Sequence, residues 1–220
     1  MPGLLRLAVR PAQPSADAVR EAVRQVRHGR IVAAPTDTLY GLLADGRSNS
    51  AVARVFRAKR RPRDSPVPLL LESTAAVRRV AVELPRAFNC LADAFWPGAL
   101  TIVVPAGPSV PELVTGGRGS VAVRVPRSAL IRAIARQARR PLTGTSANLS
   151  GRKPPRTAAG VAAQIGPGLA LLLDGGPVLR AVPSTIVALT GQRPAVLRDG
   201  VVGRARIDAV LRRALGNGLP

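Results

Sequence analysis

The chain has one cysteine, one histidine and two lysines, and each scarcity closes off a class of chemistry. Cys90 alone forms no internal disulfide and no cysteine-rich metal site. Its setting, Phe88-Asn89-Cys90-Leu91-Ala92, predicts a small buried hydrophobe on a helix. His28 precedes Gly29 at an expected helix end, where a basic side chain suits the helix dipole. A Ser–His–Asp triad, a Cys–His pair or a histidine zinc site needs partners that one histidine in a terminal turn does not supply. Aromatic residues are 2 % of the chain, so a core drawn from its 46 % hydrophobic residues must be built of Ala, Val, Leu and Ile.

Acidic residues are also few. Twelve face 33 basic ones, a formal net charge of +21, and all the bases except Lys59 and Lys153 are arginine. That balance points to polyanionic ligands such as nucleotides or nucleic acid, although codon bias produces the same arginine skew. The 220 residues suit one domain. Arg6 and Arg10 interrupt any apolar leader in MPGLLRLAVRPAQP. The longest uncharged stretch, 94–111, is broken by Pro97, Pro105, Pro108 and Pro111, so it predicts turns instead of a membrane span. The expectation is a soluble, cytoplasmic protein with no membrane partner.

Helical and strand patterns alternate. A helix capped by Ser15 and stopped by Gly29 carries Ala18, Val19, Ala22, Val23 and Val26 on one face. Further helices are expected over 49–57, from Ser73 through Val82, from Pro85 to near Phe95, from Ser128 to about Arg139, over 158–165 and over 207–215. Strands are expected over 31–34, 67–71, 100–104, 121–125, 169–173, 184–189 and 195–198, and residues 141–145 are expected to run toward a polar loop. The pattern predicts a single α/β domain with a twisted mixed sheet flanked by helices, over 15–215. Residues 1–14 are expected as an N-terminal extension and 216–220 as a tail.

No GxxxxGK[ST] sequence occurs, which excludes a P-loop. Gly117-x-Gly119-x-x-Ala122 matches a dinucleotide fingerprint in letters only, because it leads into a strand instead of leaving one. Four other segments place polar groups at strand ends. PTDTLYGL (35–42) sets two threonines, an aspartate and the single tyrosine after a buried strand. AKRRPR (58–63) sets Lys59 and Arg61 ahead of Pro62, where a point charge and a planar fork can converge on one phosphate. TGTSANLSG (143–151) offers small hydroxyls and an amide suited to phosphate and ribose oxygens. Ser184 opens PSTIVAL and Arg198 closes VLRDG. Singly, each is explained as well by helix caps or a solvated basic surface.

In order, PTDTLYGL, AK-x-R-P, FWPGALTIVV, VAVRVP, TSANLSG, DGG, PST-x-V and LRDG resemble the YrdC/TsaC family of threonylcarbamoyl-AMP synthases, over nearly the whole chain. The resemblance implies a YrdC-like fold with a positively charged concave face. It implies an enzyme that joins L-threonine, bicarbonate and ATP into L-threonylcarbamoyladenylate, releasing pyrophosphate. A separate transferase complex then carries the threonylcarbamoyl group to the adenosine beside the anticodon of tRNA. Longer relatives carry a C-terminal domain, and the expectation here is the short, single-domain form. Mg²⁺ is expected with ATP, no organic cofactor is expected, and no protein metal site is expected.

The resemblance also implies residue roles. Lys59 and Arg61 would bind the ATP phosphates and carry the catalysis, with Ser65, Ser146, Asn148 and Arg198 completing the nucleotide site. Thr38 and Tyr40 would border the threonine pocket, Arg124 would pair with the amino-acid carboxylate, and Thr145 and Ser184 would meet the substrate's polar groups. Two positions depart from the family pattern: Ser65 stands where many relatives have a basic or amide residue, and Leu70 where many have histidine. One alternative of a different class is a non-catalytic protein of the same fold that binds double-stranded RNA or tRNA weakly and without sequence preference. The near-absence of aromatics argues against single-strand stacking. Another alternative is the related domain of a hydrogenase-maturation carbamoyltransferase, but the acylphosphatase and zinc-finger segments of those proteins have no counterpart here.

Overall fold

A computed structural model describes residues 4–178 and 182–215. In chain order the elements are β1 (Leu5–Ala8), α1 (Ala16–Arg27), β2 (Val32–Pro35), β3 (Tyr40–Leu43), α2 (Asn49–Lys59) and β4 (Leu69–Leu70). After a 3-10 turn at Ala75–Arg79 come α3 (Ala87–Phe95), β5 (Leu100–Pro105), α4 (Glu112–Thr115), β6 (Ser120–Arg124) and α5 (Ala129–Ala138). The remainder is β7 (Leu142–Thr143), β8 (Thr145–Ser146), α6 (Ala158–Ile165), β9 (Leu171–Asp174), β10 (Thr185–Ala188), β11 (Ala195–Arg198) and α7 (Arg204–Leu215).

The α/β class and mixed pairing expected from sequence are present, but the strands are shared between two sheets. One runs β1-β9-β2-β3-β8 and the other β11-β10-β5-β6-β4-β7. Both combine parallel pairs, such as β2 with β9 and β10 with β5, and antiparallel pairs, such as β2 with β3 and β5 with β6. The division falls at Gly144. Residues 142–143 pair with β4 in the second sheet, residues 145–146 pair with β3 in the first, and the chain changes sheet across this glycine. A Cβ there would lie 2.7 Å from Leu70 Cγ, so only glycine lets the strand turn this closely against β4. Thr143 stitches the sheets with its side chain: its Oγ1 donates to Leu42 O at 2.8 Å and accepts from Ala44 N at 3.0 Å.

Helix starts follow the caps read from sequence. Ser15 Oγ accepts from Ala18 N and Ser128 Oγ from Ile131 N, satisfying donors that the first turn leaves open. The segment after Ser73 forms the short 3-10 turn in place of a helix, and Thr74 at its start makes no side-chain cap bond. Leu5–Ala8, within the stretch expected as an extension, pairs in parallel with β9 from Leu5↔Leu171 to Ala8↔Asp174. The expected tail, 216–220, lies outside the described residues.

Three apolar clusters hold the layers together, and they are built of Ala, Val, Leu and Ile as the composition requires. Phe56, Phe88, Trp96 and Tyr40 join these clusters, with Phe88 and Trp96 packed edge to face at 5.6 Å. Cys90 corrects the expectation of a buried thiol: it is exposed. α3 buries Ala87, Phe88, Leu91 and Ala92, and a residue two positions after Phe88 points to the opposite side of the helix.

Candidate active site

Between the two sheets lies a cavity of about 630 Å³. The first sheet contributes Tyr40 and Gly41 from β3 and Thr145 and Ser146 from β8. The second contributes Thr101 from β5, Arg124 from β6 and Arg198 from β11, with Leu70 of β4 forming part of the wall. Nine of the eleven residues singled out from sequence line this one cavity: Thr38, Tyr40, Arg61, Ser65, Arg124, Thr145, Ser146, Ser184 and Arg198. The sites expected for nucleotide and amino acid are therefore two parts of one space.

Lys59 and Asn148 are not in the wall. They stand behind it and build it. Lys59 is the last residue of α2 and is 1 % exposed. Its Nζ donates to the carbonyl oxygens of Ser146 and of Asn148, the latter at 2.7 Å, and lies 3.5 Å from Asn148 Oδ1. Asn148 Oδ1 accepts from Ser146 Oγ at 2.5 Å, and its Nδ2 donates to Leu149 O and Arg152 O, each at 2.7 Å. One buried ammonium and one amide thus organise the whole 146–152 loop. Burial, with Arg61 nearby, pushes the Lys59 ammonium down to about 8.

Four arginines line the cavity: Arg61, Arg118, Arg124 and Arg198. Arg61 donates through Nη2 to Pro66 O at 2.9 Å, which holds the loop after Pro62. Arg198 donates to Ser184 O at 2.8 Å and to Ser184 Oγ at 3.1 Å, and Ser184 Oγ shares a hydrogen bond of 2.8 Å with Thr101 Oγ1. Arg124 is buried and held from three directions. Its Nε donates to Gly98 O at 2.7 Å, its Nη1 donates to Thr38 Oγ1 at 3.2 Å, and its Nη2 sits 2.7 Å from Asp37 Oδ1. Burial lowers the proton affinity of Arg61, Arg124 and Arg198, and the charge of Arg124 lowers that of Arg198 further. Two guanidinium groups close enough to repel each other favour an anion between them.

The Tyr40 hydroxyl turns to the 174–176 loop, donating to Gly176 O at 2.8 Å and accepting from Gly175 N at 3.2 Å. Burial pushes its phenol up, so it remains protonated. Among the described residues, no Asp or Glu lines this cavity, and no group of three or more metal-ligating side chains gathers elsewhere. The arrangement suits binding and neutralisation of phosphates with directed recognition of a small polar molecule beside them.

Thr36, Thr101 and Arg118 also line the cavity and were not singled out. Thr101 had a signal, since it is a buried hydroxyl in the otherwise apolar run Leu100 to Val104. Arg118 lies between Gly117 and Gly119, both at positive φ, and a lone arginine in a glycine-rich loop carried no pattern.

The profile of the Sua5/YciO/YrdC family, described as telomere recombination, matches residues 24–200. A threonylcarbamoyl-AMP synthase of Pyrococcus abyssi is 37 % identical over 193 residues, covering 88 % of this chain and 57 % of that protein. A protein of the same name from Halorhodospira halophila is 35 % identical over 195 residues, covering 89 % of this chain and 94 % of that one. The crystal structure of P. abyssi Sua5 complexed with L-threonine superposes with a TM-score of 0.90 at 36 % identity, over 94 % of this chain and 61 % of that one. The chain thus spans about three-fifths of the length of the P. abyssi protein.

Proposed function

The chain belongs to the Sua5/YciO/YrdC family, and on that premise we propose that it is a threonylcarbamoyl-AMP synthase, joining L-threonine, bicarbonate and ATP into L-threonylcarbamoyladenylate and pyrophosphate. The names of its relatives support this, as does the threonine in the P. abyssi structure. The observation that carries it is the division of labour among the cavity arginines. Arg124 is buried and held by Gly98 O, the Thr38 hydroxyl and the Asp37 carboxylate, which fixes a planar guanidinium in the wall as a carboxylate receptor requires. Arg61, Arg118 and Arg198 are in no ion pair among the described residues, and suit a polyphosphate.

In this reading the Arg124 guanidinium takes the threonine carboxylate, while Thr38, Thr145 and Ser184 meet its hydroxyl and amine. Tyr40, fixed on the 174–176 loop, shapes the wall beside Thr38. Threonine's amine and bicarbonate give a carbamate and water. A carbamate oxygen then attacks the α-phosphorus of ATP, and the bond to the bridging oxygen breaks, with its electron pair leaving on pyrophosphate. No histidine and no covalent enzyme intermediate are needed. Holding the two reactants in line is the main task, and such positioning supplies ~7–11 kcal/mol in favourable systems. Arg61 and Arg198 neutralise charge as pyrophosphate departs, Ser65 and Ser146 bond phosphate or ribose oxygens, and Lys59 and Asn148 keep the 146–152 loop in place. Mg²⁺ would be held by the ATP phosphates and would supply charge neutralisation there, the described cavity wall offering hydroxyls and no carboxylate.

The product is a reactive mixed anhydride, so a transferase that moves the threonylcarbamoyl group onto tRNA is the partner this chemistry calls for. No helix among the described residues is long and apolar enough to cross a membrane. The test is pyrophosphate release from ATP with threonine and bicarbonate supplied singly and together. Release only with both supports the synthase. Release without threonine, or none with both, overturns it, and in the second case RNA binding by the same preparation would favour the non-catalytic alternative.

A further inference from the structure

Of the four arginines that line the cavity, Arg124 is the one in an ion pair, and its partner lies outside that cavity. Asp37 opens instead onto a separate cavity of about 700 Å³ behind the wall, beside Trp96, Gly98 and Arg132. Its carboxylate reaches Arg124 Nη2 at 2.7 Å, with the side chains of Arg124 and Asp37 only 6 % and 17 % exposed. Nη2 is itself fully buried beside this carboxylate. Arg124 therefore stands in the cavity wall with its charge largely offset from behind by Asp37.

We propose that Asp37 is a specificity-determining residue, a charge filter that reserves the Arg124 end of the cavity for a monoanionic carboxylate and keeps phosphate groups at the Arg61, Arg118 and Arg198 end. The inference rests on the reading of the cavity as a joint threonine and ATP site. Its physical basis is the difference between hydrogen bonding and net charge. A zwitterionic amino acid needs two N–H donors in a plane and little more. A polyphosphate is attracted chiefly by uncompensated positive charge, and Arg124 stands close enough to Arg198 to depress its proton affinity. Without Asp37 the two guanidinium groups would form a continuous positive patch, and pyrophosphate would compete for the place of the amino acid. Thr38 contributes to geometry but not to this balance, since its hydroxyl carries no charge.

The test is calorimetric titration of L-threonine into the protein with and without saturating inorganic pyrophosphate. In the natural protein, pyrophosphate should shift threonine affinity by less than about twofold and bind once per chain. In Asp37→Asn, pyrophosphate should compete with threonine and raise its apparent Kd by about tenfold or more, a gain of anion binding that structural damage would not produce. Asp37→Glu should restore the natural behaviour. If Asp37→Asn does not fold, Asp37→Ser is carried through the same titration. Undiminished threonine binding in the presence of pyrophosphate in the uncharged variant overturns the filter, as does uniform loss of both ligands. Two pyrophosphates per natural chain, or competition in the natural protein, overturns it too. A natural protein that binds pyrophosphate but no threonine overturns the functional reading itself, and the inference with it.

Discussion

The Lys59 ammonium donates to the Asn148 carbonyl at 2.7 Å, across 89 positions of sequence. This contact ties the end of α2 to the loop that borders the cavity, and it separates Lys59 from Arg61, which faces the cavity directly. Lys59→Ala should leave the Ser146 and Asn148 carbonyls without a donor, costing about 1–3 kcal/mol of stability together with a large loss of ATP affinity. Arg61→Ala should leave melting nearly unchanged and weaken ATP binding by about ten- to a hundredfold, the usual worth of a charge-assisted phosphate contact. Thermal melts and ATP titrations of both variants check this. Full ATP affinity in both would remove the segment from the nucleotide site.

Lys59 also gives the protein a pH response. Its folded value, about 8, lies below the ordinary 10.5, so between those limits the folded chain holds fewer protons than the unfolded one. The burden of burying the ammonium accordingly eases as pH rises across that window, while the loop loses a charged donor. ATP affinity should fall as pH passes about 8, and the fall should vanish in Lys59→Arg, whose guanidinium does not titrate there. Identical profiles for the two proteins would sink the assignment.

Threonine should be strongly preferred over valine. The Thr101–Ser184–Arg198 chain of hydrogen bonds places hydroxyls in the cavity wall that an isosteric methyl leaves unpaired. Sites that hydrogen-bond a substrate hydroxyl discriminate by up to ~10⁴–10⁵-fold. Serine, which lacks only a methyl, should be a weaker substrate. Comparing pyrophosphate release with the three amino acids decides the matter, and equal turnover of valine would refute the pocket.

Gly144→Ala should cost about 1–3 kcal/mol, because the new Cβ would overlap Leu70 at the point where the chain passes between sheets. Since Leu70 lines the cavity, threonine affinity should fall as well. Chemical denaturation and threonine titration read the two effects, and an alanine variant as stable as the parent would show that the junction relaxes freely.

Arginines far in excess of those lining the cavity should give weak, unspecific affinity for tRNA. The logarithm of that affinity should fall linearly with log salt, at about −0.7 to −0.9 per phosphate contact. A salt titration with an ANN-reading tRNA beside an unrelated duplex RNA checks it. Strong preference for the tRNA, or no binding at low salt, would each contradict the expectation.

Most of the elements could be read from sequence because their signals are local. Ser15 and Ser128 cap helices whose apolar faces repeat at helical spacing, and the apolar runs of β5, β6 and β10 are bounded by proline and glycine. The division into two sheets was not legible. It depends on Gly144 meeting Leu70 and Pro68 across about 75 residues, and no window of sequence contains that contact. β1 escaped notice because Arg6 interrupts a four-residue strand whose partner among the described residues is β9, far along the chain. Nine of the eleven residues singled out by motif letters line one cavity, but the letters did not separate Lys59 and Asn148, which build the loop, from Arg61 and Ser146, which face the cavity. Nor did the letters show that Asp37, inside PTDT, faces away from it. Side-chain direction at a strand end is set by packing with distant elements.

Cys90, exposed on α3 and absent from the cavity wall, makes the protein uniquely addressable. A maleimide dye or spin label attached there would sit at a single chemically defined position with no engineered mutation. Ligand-dependent distances could then be measured from a fixed reference on the scaffold while every arginine of the cavity remains native.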